Sequence, residues 1–340
     1  MRRLILLAIV ALCLTPGTWV RSPLPAVNHS QRLSFKPLTV TQTKLGELDL
    51  RGAWQLLSPN SGFGSYSAMI SPEQGVLLAA SDSGGILRFP PPGLSGEVSI
   101  GRFAGRSIRR KKLIDIESLT RDPASGRIWA GYEGTNSIER LEADFTDGRT
   151  IRPAAMAQWS NNSGPEAMVR LADGRFIVLS EGPRRWLGDA YPALLFPDDP
   201  VEGAVPMPFL LHSQGGFAPV DIAQIPDGRV LILLRSFSLG FPPAFAVKLI
   251  VADPAEITLG GQWSGRPLAT IGSADLQDNY EGMAIVPLAG GQIDIWLISD
   301  DNNATFQRSL LLNLQWNPAA RQPTTQKARE KPARPSKPTN

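Results

Sequence analysis

The stretch GPEAMVRLADGRFIVLSE, residues 164–181, consists of two apolar segments joined by a short polar turn. Val, Ile, Leu and Phe, which favour β-strands, dominate these segments. The turn contains Asp173 and Gly174, and glycine readily adopts the positive φ that a tight hairpin requires. The stretch therefore predicts a β-hairpin, with Glu166 near its beginning and Glu181 directly behind its second strand.

The same pattern occurs four more times, in stretches that begin at Ser65, Asp115, Pro219 and Tyr280. The five turn glycines are Gly75, Gly126, Gly174, Gly228 and Gly291, which lie 51, 48, 54 and 63 residues apart. Because a single hairpin cannot bury its faces, a repeat of about 50 residues is typical of one four-stranded propeller blade. A β-sandwich would not reproduce one such unit five times.

These repeats predict an all-β fold, in which residues 26–316 form one β-propeller domain. The regular alternation of helices and strands that an α/β fold requires is missing from the sequence. Residues 26–60 and 240–275 match none of the five repeats. The prediction is therefore five to seven blades, with six favoured.

The two ends of the chain differ from this body. Arg2 and Arg3 precede an apolar run of about half the roughly 20 residues that a membrane span needs. Residues 1–20 are therefore predicted to be a Sec-type signal peptide, which implies a periplasmic or secreted protein without a transmembrane span in the mature chain. Cys13, the single cysteine, lies in this segment, so no disulfide is expected after cleavage.

The positive net charge of +3 comes from these ends. The net charge of residues 1–20 and of the Pro-rich residues 317–340 together is more positive than the net charge of the whole chain. The residues between them therefore have a negative net charge. The composition therefore gives no indication of nucleic-acid binding. Residues 317–340 are predicted to be a disordered basic tail, either a solvated tether or, less favoured, an attachment to an anionic surface.

Acidic residues recur at both ends of the hairpins. Those near the start of the first strand are Glu117, Glu166, Asp221 and Glu281, and those behind the second strand are Asp82, Glu133, Glu181, Asp300 and Asp301. Arg235 takes the second position in the fourth repeat. Because the inner strands of a propeller surround one channel, these side chains are expected to converge there. For any single acid, the capping of a turn is an alternative explanation.

Converging carboxylates repel one another and are costly to desolvate, so they need a positive partner. Ca²⁺, which binds six to eight oxygen ligands, would supply it. A zinc site is disfavoured because the chain has two histidines, His29 and His212. The predicted metal ligands are Glu117, Glu281, Asp300 and Asp301, with Asp82 and Asp221 as secondary candidates.

Several catalytic mechanisms are disfavoured by the sequence. It contains no G-x-S-x-G elbow, no P-loop and no dinucleotide fingerprint, so metal-assisted hydrolysis is the remaining scheme. Glu166, Glu181 and Arg308 are the predicted catalytic residues. Arg184, Arg185 and Arg235 are the predicted binding residues for a small anionic or ester substrate, although surface salt bridges would also explain them. The basic cluster RRKK, residues 109–112, is interpreted as a solvated loop rather than a phosphate site.

The chain also resembles the phytase-like family, which is named for an esterase-like activity of phytase. The resemblance is found in DIESLTRDPASGRIWAGYE from Asp115, in NSGPEAMVRLADGRFIVLSEG from Asn162, and in DNYEGMAIV from Asp278 with LISDDNNATFQRSLLLNLQW from Leu297. It implies a secreted β-propeller that hydrolyses phosphate or other esters. The matched positions are Glu117, Glu166, Glu181, Glu281, Asp300, Asp301, Asn302 and Arg308. The DDPA-x-W opening associated with calcium-dependent alkaline phytases is absent, so phytate is not implied as the substrate.

Two other functions remain open at this stage. A non-catalytic propeller would bind a ligand or protein through one rim, and a calcium-dependent lactonase would use the same acids with a more apolar pocket. A monomer is expected in each case.

Overall fold

The computed structural model describes residues 26–103, 115–160, 163–183, 188–213, 215–239, 244–304 and 307–320. The predicted signal peptide, the RRKK cluster, Arg184 and Arg185 lie outside the described residues, as does most of the predicted tail. Within these ranges, no helix combines the length and the apolar character needed to cross a membrane.

The described residues form five sheets, each of which is one blade. The first strands of the chain are β1 (Ser34–Pro37), β2 (Lys44–Leu45) and β3 (Leu48–Leu57). Blade 1 follows with β4 (Tyr66–Glu73), β5 (Val76–Ser81), β6 (Gly85–Phe89) and β7 (Ser99–Arg102). Blade 2 contains β8 (Ile116–Arg121), β9 (Ile128–Tyr132), β10 (Ser137–Leu141) and β11 (Arg149–Ile151).

The remaining strands complete blades 3 to 5. Blade 3 contains β12 (Pro165–Arg170), β13 (Phe176–Ser180), β14 (Ala190–Phe196), β15 (Met207–His212) and β19 (Gln262–Trp263). Blade 4 contains β16 (Ala218–Gln224), β17 (Val230–Ser238), β18 (Ala244–Ala252) and β20 (Arg266–Ile271). Blade 5 contains β21 (Tyr280–Pro287), β22 (Ile293–Ser299) and β23 (Leu310–Trp316), together with β1, β2 and β3.

The innermost strands of the blades form a closed ring. In order they are β4, β8, β12, β16 and β21, and each contacts the next, with β21 returning to β4. The predicted all-β propeller is therefore confirmed, with five blades, at the lower end of the predicted range. The described residues form no sixth blade, because residues 26–60 complete blade 5 and residues 244–275 supply β18 and β20 of blade 4 and β19 of blade 3.

The hydrophobic core lies in the five seams between neighbouring blades. In β13, Phe176 and Val178 pack towards blade 2, whereas Ile177 and Leu179 pack towards blade 4. Because successive side chains of a strand point to opposite faces, both faces of such a strand are buried. This explains why the second strand of the third repeat is an apolar run from Phe176 to Leu179 instead of an alternating one.

Blade 5 joins the two ends of the propeller. Strand β3 from the N-terminal part pairs antiparallel with β23 from the C-terminal part, from Asp49 opposite Gln315 to Gln55 opposite Leu310. Strand β3 also pairs with β1 on its other side, so it is a central strand of the blade. The ring is therefore closed by backbone hydrogen bonds between segments about 260 residues apart in the sequence.

Weakening this closure is expected to destabilise the whole propeller. The backbone N–H of Leu56 on β3 donates to the carbonyl oxygen of Ser309, which directly precedes β23, at 2.8 Å. A Leu56→Pro substitution would remove this hydrogen bond from a central strand, and Leu56→Ala serves as the reference for loss of the buried side chain. We expect the free energy of unfolding of Leu56→Pro to fall about 1–3 kcal/mol below that of Leu56→Ala, measured by urea denaturation. The control is Glu97→Pro in an exposed loop. Equal midpoints for Leu56→Pro and Leu56→Ala would contradict a stabilising role for this pairing.

Candidate functional site

Each inner hairpin contains a β-bulge at the same place. The extra residue of the bulge is Ser67, Glu117, Glu166, Val220 or Glu281 in blades 1 to 5 respectively. A bulge leaves one residue without a partner in the ladder and re-aims its side chain. Three of the five bulge residues are glutamates, and all three line one cavity of about 640 Å³.

A second ring of residues surrounds the same cavity. In each hairpin, the residue just before the bulge pairs with a residue on the second strand, and the residue that follows this partner lines the cavity. These cavity-lining residues are Asp82, Glu133, Glu181, Arg235 and Asp300. With Asp115, the cavity lining contains eight carboxylates and one arginine. The prediction that distant acids converge on the central channel is therefore confirmed.

Asp115, Glu117 and Glu133 form the tightest acidic cluster in the cavity. Each offers a carboxylate oxygen, and these three oxygens lie within 4.8 Å of one another, so the cluster could hold a metal ion. The backbone N–H of Glu133 donates to the carbonyl oxygen of Asp115 at 3.1 Å, which holds the start of β8 against the end of β9. An all-oxygen donor set of this kind fits a hard cation.

Sequence reasoning did not identify Asp115 as a site residue. A signal was present, because Asp115 is two residues before Glu117 and side chains two apart on an extended chain point to the same side. Asn279 has the same position before Glu281 and also lines the cavity.

Glu166 is one of two acids of the cavity, with Asp300, that are buried. It is 7% exposed, and its Oε1 atom has no hydrogen-bond partner among the described residues. Burial raises its pKa well above the usual range, and the charges of Glu117, Glu181 and Glu133 raise it further. An unpartnered buried carboxylate oxygen costs free energy, and a proton or a cation would compensate for it.

Two further acids show the same effect. Burial, followed by the charges of Asp115 and Glu133, raises the pKa of Glu117 well above its usual value. Burial also raises the pKa of Asp300 to about 7, although the backbone N–H of Asn302 donates to its Oδ1 at 2.7 Å. Ionised carboxylates are therefore unfavourable in this cavity unless a cation compensates for their charge.

Arg235 compensates part of this charge. It lies on β17, and its guanidinium forms ion pairs with Glu181 of blade 3 and Glu281 of blade 5. It also donates to the Oδ1 atom of Asn279 at 2.7 Å. Burial alone would lower the pKa of Arg235, but the charge of Glu181 and its hydrogen bond raise it overall. Arg235 thus neutralises the blade 3 and blade 5 sides of the cavity.

Three of the predicted site residues do not line the cavity. Asp301 accepts hydrogen bonds from the N–H of Ser65 at 3.1 Å and the hydroxyl of Ser309 at 2.7 Å, and its role as a metal ligand stays a prediction. Arg308 forms an ion pair with Asp278 at 3.5 Å, and its catalytic role stays a prediction. Arg184 and Arg185 lie outside the described residues.

Asp221 is the third of these residues. It is buried, and its carboxylate accepts hydrogen bonds from the backbone N–H of Ile222 at 2.7 Å and of Met283 at 2.6 Å. It therefore connects the inner strands of blades 4 and 5. The equivalent of Glu166 in blade 4 is Val220, since each is eight residues before its turn glycine and Asp221 is seven before Gly228. This spacing from the turn glycine could have been read from the sequence, and it would have identified Val220 as the equivalent residue.

Comparison with known proteins gives one family and several distant structures. The sequence model described as "Phytase-like: Esterase-like activity of phytase" matches residues 32–303. A search of curated proteins finds no match.

The solved structures are similar at a low level. The PQQ-bound aldose sugar dehydrogenase of Streptomyces coelicolor has a TM-score of 0.44 at 13% identity, with 85% of this chain and 99% of that chain covered. A luciferin-regenerating enzyme has a TM-score of 0.42 at 13% identity, with 87% and 91% covered. For the hydrazine synthase of Kuenenia stuttgartiensis the TM-score is 0.37 at 13% identity, and 70% of this chain aligns with 57% of that chain. These values are too low to bear on function.

The raised pKa values predict a stability that depends on pH when no cation is bound. Asp300 has a pKa of about 7 in the folded protein against 3.8 as its ordinary value, so the folded state binds more protons between these limits. Its contribution to stability is therefore present below about pH 4 and is lost as the pH rises to about 7. We expect the Tm measured in chelator to fall over this range, and to fall less in Asp300→Asn. A Tm that rises over this range would contradict the prediction.

Asp221 is expected to contribute to stability without affecting cation binding. Asp221→Ala would leave two backbone N–H groups unsatisfied, which should lower the free energy of unfolding by about 1–3 kcal/mol for each one that remains buried. Urea denaturation measures this loss, with Asp275→Ala on the surface as the control. Any increase in Tm on adding Ca²⁺ should be the same in both variants. Its loss in Asp221→Ala would show that Asp221 acts on the site.

Proposed function

The chain belongs to the phytase-like family, and we propose that it is an exported hydrolase that cleaves a phosphate ester or another ester in its central cavity. The observation that supports this most directly is the cluster of Asp115, Glu117 and Glu133 in the wall of the acidic cavity. Eight carboxylates and one arginine would repel an anionic substrate. A bound cation would therefore be needed before such a substrate could enter.

We propose Ca²⁺ as this cation, with Asp115, Glu117 and Glu133 as its first ligands. The donors are all oxygen atoms from carboxylates, the ligand type that calcium prefers. When bound, the ion would supply positive charge next to the ester oxygen and so polarise the bond to be broken. Glu281 and Asp300 line the same cavity and would add to its affinity for cations.

Glu166 is the proposed general base. Its Oε1 atom is buried, has no partner among the described residues, and lies in the wall of the cavity. Burial raises the pKa of Glu166, which strengthens the affinity of its carboxylate for the proton that a general base must accept. Glu181 would contribute indirectly, by positioning Arg235. The guanidinium of Arg235 forms ion pairs with both Glu181 and Glu281. Arg235 remains the proposed cationic contact for the substrate inside the cavity.

The environment of the reaction also remains a proposal. The predicted signal peptide supports a periplasmic or secreted protein, where calcium is available at higher concentrations than in the cytoplasm. A cavity of about 640 Å³ is suited to a small molecule. The substrate is therefore proposed to be a small ester, and neither a nucleic acid nor a second copy of the chain is required.

Calcium binding should stabilise the folded protein. Because the ion would bind the native state, the free energy of unfolding should increase by about 2.7 kcal/mol at a calcium concentration 100 times the Kd. A thermal melt during calcium titration measures this as a rise in Tm. Glu117→Gln should reduce the shift, whereas Glu97→Gln on the surface should leave it unchanged. A shift that persists in Glu117→Gln would argue against the proposed ligands.

Turnover is the second part of the same test. Calcium-loaded protein should hydrolyse at least one member of a panel of phosphomonoesters, carboxylic esters and lactones, and chelator should abolish the activity. Glu166→Gln should lower kcat by about 10²–10⁴, as expected for loss of a general base. Calcium binding without turnover of any panel member would support a non-catalytic binding propeller, and turnover of lactones alone would support a lactonase.

A further inference from the structure

Blade 4 differs from the other blades at the mouth of the cavity. In blades 1, 2, 3 and 5 the second strand ends one residue before the cavity-lining residue, at Ser81, Tyr132, Ser180 and Ser299. In blade 4, β17 continues through Arg235 to Ser238 and stays paired with β18 as far as Ala244. Among the described blades, blade 4 alone therefore extends this hairpin beyond the ring of acids.

The extension presents two aromatic side chains to the cavity. Phe237 pairs with Phe245 across the two strands, and their ring centroids are 4.9 Å apart at an angle of 45°. Both residues line the same cavity as the acids. Phe237 and Arg235 are two residues apart on β17, so both side chains point to the same face of the strand.

These aromatic side chains are not fully covered by the protein. Phe237 is 52% exposed, and Leu239, which directly follows the strand, is 93% exposed. Large apolar side chains in the inner hairpins are otherwise mostly buried in the seams between blades. An exposed aromatic pair next to a polar cavity is a feature of sites that bind an amphiphilic ligand.

We propose that Phe237 and Phe245 form the binding wall for the apolar part of the substrate, so that the substrate is an ester of an aromatic or similarly bulky apolar alcohol. This inference rests on the proposed hydrolase function. The acyl or phosphoryl part of the ester would face the carboxylates of blade 2, and the alcohol part would pack against blade 4. Phe237 is then a specificity-determining residue, and it takes no part in the chemical step.

Paired substrates separate this role from a general loss of activity. Benzyl phosphate and methyl phosphate share the reacting group and differ in the apolar part, as do benzyl acetate and methyl acetate. Phe237→Ala should lower kcat/KM for the benzyl member about tenfold, mainly by raising KM, and should change the methyl member less than about twofold. Leu259→Ala is the matched control, because Leu259 is 73% exposed and does not line the cavity.

Binding measurements keep this inference testable apart from catalysis. In excess calcium, wild-type protein should bind benzylphosphonate about tenfold more tightly than methylphosphonate by calorimetry, and Phe237→Ala should lose the preference. If the wild type hydrolyses no ester but shows this preference, the proposed hydrolase function is wrong, whereas the binding role of Phe237 and Phe245 is supported. Equal affinities for the two phosphonates in the wild type, no binding of either, or an equal fall in kcat/KM for both esters would overturn the inference.

Discussion

The pairing of β3 with β23 is the contact on which the rest of the structure depends. Without it, blade 5 would consist of β21, β22 and β23 alone, and its outer edge would be left unpaired. Strand β21 must lie between β16 and β4 for the ring of inner strands to close. The closed ring is what places Asp82 of blade 1 and Asp300 of blade 5 at the same cavity, although they are far apart in the sequence.

The β-bulge explains how an acid can precede an apolar strand. A regular strand would direct alternate residues into the two seams, where a carboxylate would be buried without compensation. The extra residue of the bulge is released from this alternation, so Glu117, Glu166 and Glu281 reach the channel while their neighbours stay in the core. Where the bulge residue is apolar, as with Val220, the side chain joins the seam between blades 4 and 5 instead.

The sequence predicted the repeating hairpins and most of the cavity, because turn glycines and strand runs are local signals. Gly174 and Gly228, for example, have φ values of 95° and 92°, as a tight turn requires. The blade count was less certain, because blade 5 is assembled from both ends of the chain and its N-terminal strands do not repeat the hairpin pattern. Asp301 was misplaced for a different reason. It lies next to Asp300, but the left-handed backbone of Asn302 and Asn303 turns the chain there, and Asp301 faces Ser65 and Ser309.

The charges of the cavity are arranged unevenly, and this asymmetry fixes the direction in which a ligand could lie. Arg235 neutralises Glu181 and Glu281, which flank blade 4. The carboxylate oxygens that could hold a cation lie at blade 2, on Asp115, Glu117 and Glu133. The apolar surface of the cavity is at blade 4, where Phe237 follows Arg235 on the same strand. A ligand with one charged and one apolar end would make favourable contacts at both ends in one orientation, with its charged end at the cation. The reverse orientation would place its charge against the aromatic rings and its apolar end against the carboxylates, and both contacts are unfavourable.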